Sequence, residues 1–103
     1  MSSELNSQTF SDFISSGLVL VDFWAPWCGP CRMQIPILNQ VAEKLPDVKI
    51  GKVNVDENAD LAAQYGVNTI PYLVIFKEGE KKADFVGLRQ ATVLIEALQA
   101  AQG

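Results

Sequence analysis

Cys28 and Cys31 are the only two cysteines of the chain, and only Gly29 and Pro30 separate them. Two thiols that close can hold a metal, staple the chain or form a redox couple. A structural zinc site usually takes four Cys or His ligands, and the chain offers two cysteines and no histidine. A staple closing four residues gains roughly 2 kcal/mol on the loop-entropy model, which a chain of this length does not need to hold a core. The redox couple uses more of the local sequence. An apolar run ends at Trp24 and a helical pattern follows Cys31, so the pair sits between a strand and the start of a helix. A helix N-terminus carries unpaired N–H groups and a partial positive charge, and both favour a thiolate. The first cysteine can then attack a disulfide at neutral pH. The second, three residues on, can reach back to resolve the mixed disulfide. Without a histidine, a Cys–His hydrolase is excluded.

The elements that must position this pair follow from periodicity. Residues 18–24, LVLVDFW, are apolar on both alternating faces apart from Asp22, which suits a central strand covered on both sides. After the cysteines, Leu38, Val41, Ala42 and Leu45 fall at helical spacing. Pro30 stands where a first helical position would be, which proline tolerates, and Pro36 within the helix predicts a kink. NSQTFSDFISSG (6–17) reads as a first helix, capped by Asn6 or Ser7 and ended by Gly17. VKIGKVNV (48–55) reads as a strand and ADLAAQYG (59–66) as a short helix. YLVIF (72–76) and KADFV (82–86) form a hairpin about a turn at Glu78-Gly79-Glu80. ATVLIEALQAA (91–101) closes the chain as a helix, and a short strand near Leu5 is also expected. This order predicts an α/β protein, a central mixed β-sheet flanked by helices on both faces. No repeat or linker divides it, so a single domain over 1–103 is expected.

Composition narrows the function classes. Hydrophobic residues are 49% and charged residues 19%, which reads as globular and soluble. A net charge of −4 argues against a nucleic-acid surface, which wants a basic stripe. The one basic cluster, Lys81-Lys82, reads as a solvated turn. No apolar run approaches the ~20 residues of a membrane span. The start MSSELNSQTF has neither the basic nor the apolar region of a signal peptide, so a cytoplasmic location is expected. DENAD (56–60) opens like a calcium loop, but Leu61 and Val67 occupy the positions that need Gly and Glu. It reads instead as a strand end and a helix cap.

WCGPC at 27–31 resembles the active site of the thioredoxin family. VDFWAPWCGPC (21–31), the series Lys52, Asn54 and Asp56, YGVNTIPYLVIFKEGE (65–80) and the Val86-Gly87 pair are similar to segments of that family, in the family's order. A CxxC alone is a weak signal, whereas this ordered set spans nearly the whole chain. The resemblance implies the thioredoxin fold. It also implies a general protein-disulfide reductase in cell redox homeostasis, with Cys28 attacking and Cys31 resolving through a Cys28–Cys31 disulfide.

The resemblance assigns further residues. From the pattern alone, Asp22 shares a face with Leu20 and Trp24 and reads equally as a strand-edge residue or a buried carboxylate of raised pKa. The family carries a buried Asp here that helps deprotonate the resolving thiol. Lys52 reads equally as a surface lysine, whereas the family has a Lys here that tunes the buried Asp. Pro71 is implied to be cis and to expose the backbone of Ile70 to an extended substrate. Trp27, Val55, Ile70, Val86 and Gly87 are implied to form an apolar rim on which partner proteins dock, and Trp24 to pack beneath it. No metal and no bound cofactor are implied. NADPH and FAD act through a partner thioredoxin reductase, the other partners are disulfide-containing substrate proteins, and the chain is expected to be a monomer. Tyr72, Thr69 and Arg32 depart from the family's usual Thr, Gly and Lys, which bears on partner preference and on packing near the sulfurs. Two competing readings share the fold: an oxidant or isomerase of an oxidising compartment, and a binding module whose thiols are idle.

Overall fold

A computed structural model describes residues 2–103 of the chain. Four helices and five strands follow in the order β1 (Ser2–Leu5), α1 (Phe10–Ile14), β2 (Leu18–Trp24), α2 (Gly29–Lys44), β3 (Lys49–Asn54), α3 (Ala59–Gln64), β4 (Tyr72–Lys77), β5 (Glu80–Val86) and α4 (Ala91–Gln102). The strands form one sheet in the order β1-β3-β2-β4-β5. β3 runs parallel to β1 and β2, whereas β4 runs antiparallel to β2 and β5. The sheet is therefore mixed, as the element order predicts.

β2 is central because its side chains need cover on both faces. Val19, Val21 and Phe23 pack with Phe10 and Ile14 of α1 and Leu61 of α3. Leu18 and Leu20 pack with Ile37, Leu38 and Val41 of α2 and Leu94 and Leu98 of α4. Helices thus cover both faces, and Asp22, next to Leu20 in the alternation, points to the α2 side.

Several expectations need correction at their boundaries. The first helix holds only residues 10–14 of the expected 6–17. The Asn6 side-chain oxygen accepts from Gln8 N at 2.9 Å and Thr9 N at 3.0 Å, which winds the chain into a turn ahead of the helix. Asn6 therefore caps a turn that feeds the helix. The hairpin turn is two residues, since Glu80 already pairs with Lys77. Glu78 and Gly79 both have positive φ, +52° and +82°, as a two-residue turn matched to strand twist requires. α2 starts at Gly29, so Pro30 is its second residue, where the N–H it lacks has no helical partner in any case. Asn58 holds the cap position of α3, but its amide donates to the Asn54 carbonyl at 3.1 Å.

Candidate active site

The chain leaves β2 at Trp24 and turns through Ala25, Pro26 and Trp27, with Cys28 N donating to the Ala25 carbonyl at 3.2 Å. Cys28 is the N-cap of α2, in an extended conformation. Its Sγ accepts from Cys31 N at 3.2 Å, and its carbonyl accepts from Arg32 N at 3.3 Å. Cys28 and Cys31 are joined as a disulfide with their Cα atoms 5.3 Å apart, and both are buried. The helix start thus brings an N–H dipole onto the first sulfur. A thiolate released there by reduction keeps a donor in place.

Four side chains or small groups enclose the disulfide. Ala25 is buried against it, and Trp24, Val55 and Ile70 pack around it. The Ile70 carbonyl oxygen lies 3.9 Å from Cys28 Sγ. The Ile70–Pro71 peptide is cis, and the buried Pro71 offers its carbonyl to Gly87 N at 2.7 Å. Gly87 has φ +92°, a conformation that only glycine adopts without strain. Val86 and Trp27 stay on the solvent side, 53% and 68% exposed. The Trp27 indole N–H donates to the Asp56 carboxylate at 3.0 Å. So Val55 and Ile70 contact the disulfide cluster, Pro71 and Gly87 are tied to each other, and Trp27 and Val86 lie outside the cluster.

A charged row crosses three strands of the sheet. Asp22 of β2 is in register with Lys52 of β3, and Lys52 is in register with Glu4 of β1. Asp22 is fully buried, and neither of its carboxylate oxygens has a hydrogen-bond partner among the described residues. Burial pushes its pKa up to about 7, Lys52 opposes the rise, and Glu4 adds to it. Burial also raises Glu4 above its ordinary value, against the pull of Lys52. The Lys52 ammonium lies 4.4 Å from the centroid of the Trp24 ring. The buried reading of Asp22 therefore holds over the edge reading. Glu4 escaped the sequence because nothing local to β1 says which strand lies beside it.

The three departures fall at different places. Tyr72 does not pack against the sulfurs. Its ring joins the core on the α1 face, 5.9 Å from the Phe23 ring, and its hydroxyl bonds Asp84 at 2.5 Å and Lys81 at 3.3 Å. Alternation along β4 puts Tyr72 on the face opposite Leu73 and Asp22, which is why it misses the site. Arg32 donates to the Pro26 carbonyl at 3.0 Å, bracing the loop before the cysteines. Thr69 is exposed.

Comparison with known proteins follows the same line. The sequence model of the thioredoxin family matches residues 1–100. A thioredoxin of Chlamydia pneumoniae is 53% identical over 90 residues, which is 87% of this chain and 88% of that one. Thioredoxin 1 of Synechococcus elongatus is 52% identical over 85 residues, 82% of this chain and 79% of that one. Among solved structures, a point mutant of thioredoxin from Halobacterium salinarum superposes with a TM-score of 0.90 at 36% identity, covering 99% of this chain and 91% of that one. With its mixed sheet, its paired cysteines at a helix start and these relatives, the chain belongs to the thioredoxin family of thiol–disulfide oxidoreductases.

Proposed function

We propose that Trp27-Cys28-Gly29-Pro30-Cys31 is the active-site loop of a general protein-disulfide reductase and that one domain, 1–103, carries the whole reaction. The observation that carries this reading is the position of the Cys28 sulfur at the α2 N-terminus, where it accepts from Cys31 N. In the reduced protein the Cys28 thiolate attacks one sulfur of a substrate disulfide. A bond forms between Cys28 Sγ and that sulfur, and the other substrate sulfur leaves as a thiolate and takes a proton from water. Cys31 then gives its proton to the Asp22 carboxylate and attacks Cys28 Sγ. The second substrate thiolate leaves, the substrate has gained two electrons, and the two cysteine sulfurs have lost them in forming the Cys28–Cys31 disulfide.

Lys52 keeps the Asp22 proton exchangeable, since its charge offsets part of the burial. Trp27, Val55, Ile70, Pro71, Val86 and Gly87 form the surface on which a substrate strand docks. The Ile70 backbone beside Cys28 suits pairing with an extended segment. The electrons return from a partner thioredoxin reductase that carries FAD and draws on NADPH, while this chain holds no cofactor of its own. A reductant of this kind works where thiols are kept reduced, which assigns it to the cytoplasm. It acts as a monomer.

The test is a trap. Cys31→Ser, incubated with insulin, accumulates a mixed disulfide on Cys28 that mass measurement under non-reducing conditions detects. Cys28→Ser forms none. A mixed disulfide carried by Cys31 in the second variant, or no adduct in the first, would refute the assignment of attacking and resolving sulfurs.

A further inference from the structure

Gln34 is fully buried, on the second turn of α2, three residues beyond Cys31. It stands on the helix's apolar stripe, between Cys31 and the core residues Ile37, Leu38 and Val41. An aliphatic side chain would fill that position and leave no polar atom to satisfy. A buried amide is worse than an aliphatic residue there unless its hydrogen bonds are made. Gln34 makes them with a single residue. Its Nε2 donates to the Arg89 carbonyl at 2.9 Å, and its Oε1 accepts from Arg89 N at 2.9 Å. The side-chain amide thus exchanges both bonds with one backbone residue, as paired strand residues do.

The bonded residue lies in the segment between the end of β5 at Val86 and the start of α4 at Ala91. That segment is tied at two points. Gly87 N donates to Pro71 O at 2.7 Å, and Arg89 is held by Gln34. The Arg89 guanidinium folds back onto the Leu88 carbonyl and over the Phe85 ring, so its own side chain stays on the loop. Three segments are therefore tied together: α2 with its cysteines, the Ile70–Pro71 segment beside Cys28, and residues 87–89. One backbone bond, Gly87 N to Pro71 O, joins the second to the third. The Gln34 side chain joins the third to the first.

We propose that Gln34 is a positioning residue for protein docking: its amide fixes the Val86–Arg89 loop against the cysteine-bearing helix. It touches neither sulfur. It acts by setting where the exposed Val86 and the half-buried Gly87 stand relative to Cys28. This rests on the docking surface proposed above. Substrates that span the rim depend on Gln34, and a small disulfide that reaches only Cys28 does not.

The experiment compares wild type with Gln34→Met and Gln34→Leu, which fill the space without the two hydrogen bonds. Each protein is reduced, freed of reductant and reacted with insulin and with the small aromatic disulfide 5,5′-dithiobis(2-nitrobenzoate). Circular dichroism and amide exchange of Arg89 are followed in parallel. The expected result is an insulin KM raised roughly five- to tenfold with kcat nearly unchanged, as fits the loss of two ordering hydrogen bonds. The rate with the small disulfide stays within about twofold of wild type, and the Arg89 amide exchanges faster. An insulin KM equal to wild type in folded variants overturns the proposal. So does an equal loss with both substrates, which would place Gln34's effect on the sulfurs. A wild type that reduces the small disulfide but not insulin removes the docking surface itself, an outcome distinct from failure of the Gln34 inference alone.

Discussion

Asp22 and Lys52 stand directly opposite each other on β2 and β3, yet the Asp22 carboxylate has no hydrogen bond among the described residues and no exposure to water. The lysine lies over the Trp24 ring instead. Burial dominates, and the carboxyl titrates near 7 in the folded protein. In the unfolded chain it titrates near its ordinary value of 3.8. Between those two pH values the folded protein holds a proton that the unfolded chain has released, so stability falls as pH rises through the window. Below it the group contributes nothing, and above it the full penalty persists. A gap of about three pH units corresponds to on the order of 4 kcal/mol. Asp22→Asn is therefore expected to match wild type near pH 4 and to be the more stable protein by several kcal/mol at pH 8. Guanidinium midpoints at the two pH values measure this. A stability difference that does not change with pH would refute the raised titration.

The same row predicts two opposite displacements. Lys52 lowers the Asp22 pKa, and Glu4 raises it by a smaller amount. Lys52→Gln should move the Asp22 midpoint up and Glu4→Gln should move it down, the first shift being the larger. Carbon NMR of the Asp22 carboxyl across pH 5–9 reads the midpoint directly. In the proposed reaction the resolving step needs Asp22 ionised, so its pH profile should move with the midpoint. Shifts of the same sign in both variants would mean that the cross-strand row does not set the titration.

How much of this was legible in the sequence depended on the range of the interaction. LVLVDFW places β2 at the centre because its hydrophobicity is two-sided, and the structure agrees. The hairpin and α4 follow from local turn chemistry and helical period in the same way. The first helix is shorter than its composition suggests because the Asn6 side-chain oxygen takes the Gln8 and Thr9 N–H groups, so residues 6–9 form a capping turn that leads into the helix at Phe10. Glu4 and Gly51 could not be read, since their meaning is a strand register. Gln34 did leave a signal: it is the polar residue at a core position of an otherwise apolar helical stripe. Its partner, 55 residues away, was beyond the reach of local pattern.

Trp27 separates docking from folding. Its ring is 68% exposed and lies outside the disulfide cluster, with one hydrogen bond to Asp56. Trp27→Ala should change stability by no more than about 0.5 kcal/mol, as surface substitutions do. If the ring is a docking anchor, the same change raises the insulin KM several-fold, because exposed aromatic residues carry much of the binding energy at interfaces. Thermal unfolding and insulin kinetics on one preparation check both halves. Unaltered kinetics would remove Trp27 from the proposed rim.

Gly51 links the far edge of the sheet to the site. It is buried in β3, and a Cβ added there would come 2.5 Å from Leu5 Cδ1 and 2.9 Å from Phe13 Cε2. The bare backbone lets β1 and α1 press directly onto the sheet. Gly51→Ala forces Leu5 or Phe13 aside and is expected to cost about 1–3 kcal/mol, as overpacking does. Leu5→Ala also destabilises, by opening a cavity. The double substitution should cost clearly less than the two single costs combined, because the new methyl occupies space that Leu5 vacates. The single change also loosens the strand that carries Glu4, so the Asp22 midpoint should fall, in the direction expected for Glu4→Gln. Denaturant unfolding of the four proteins of the cycle gives the coupling. Strict additivity would show that Leu5 and residue 51 do not press on each other, and the sheet edge would then have no hold on Asp22 through this contact.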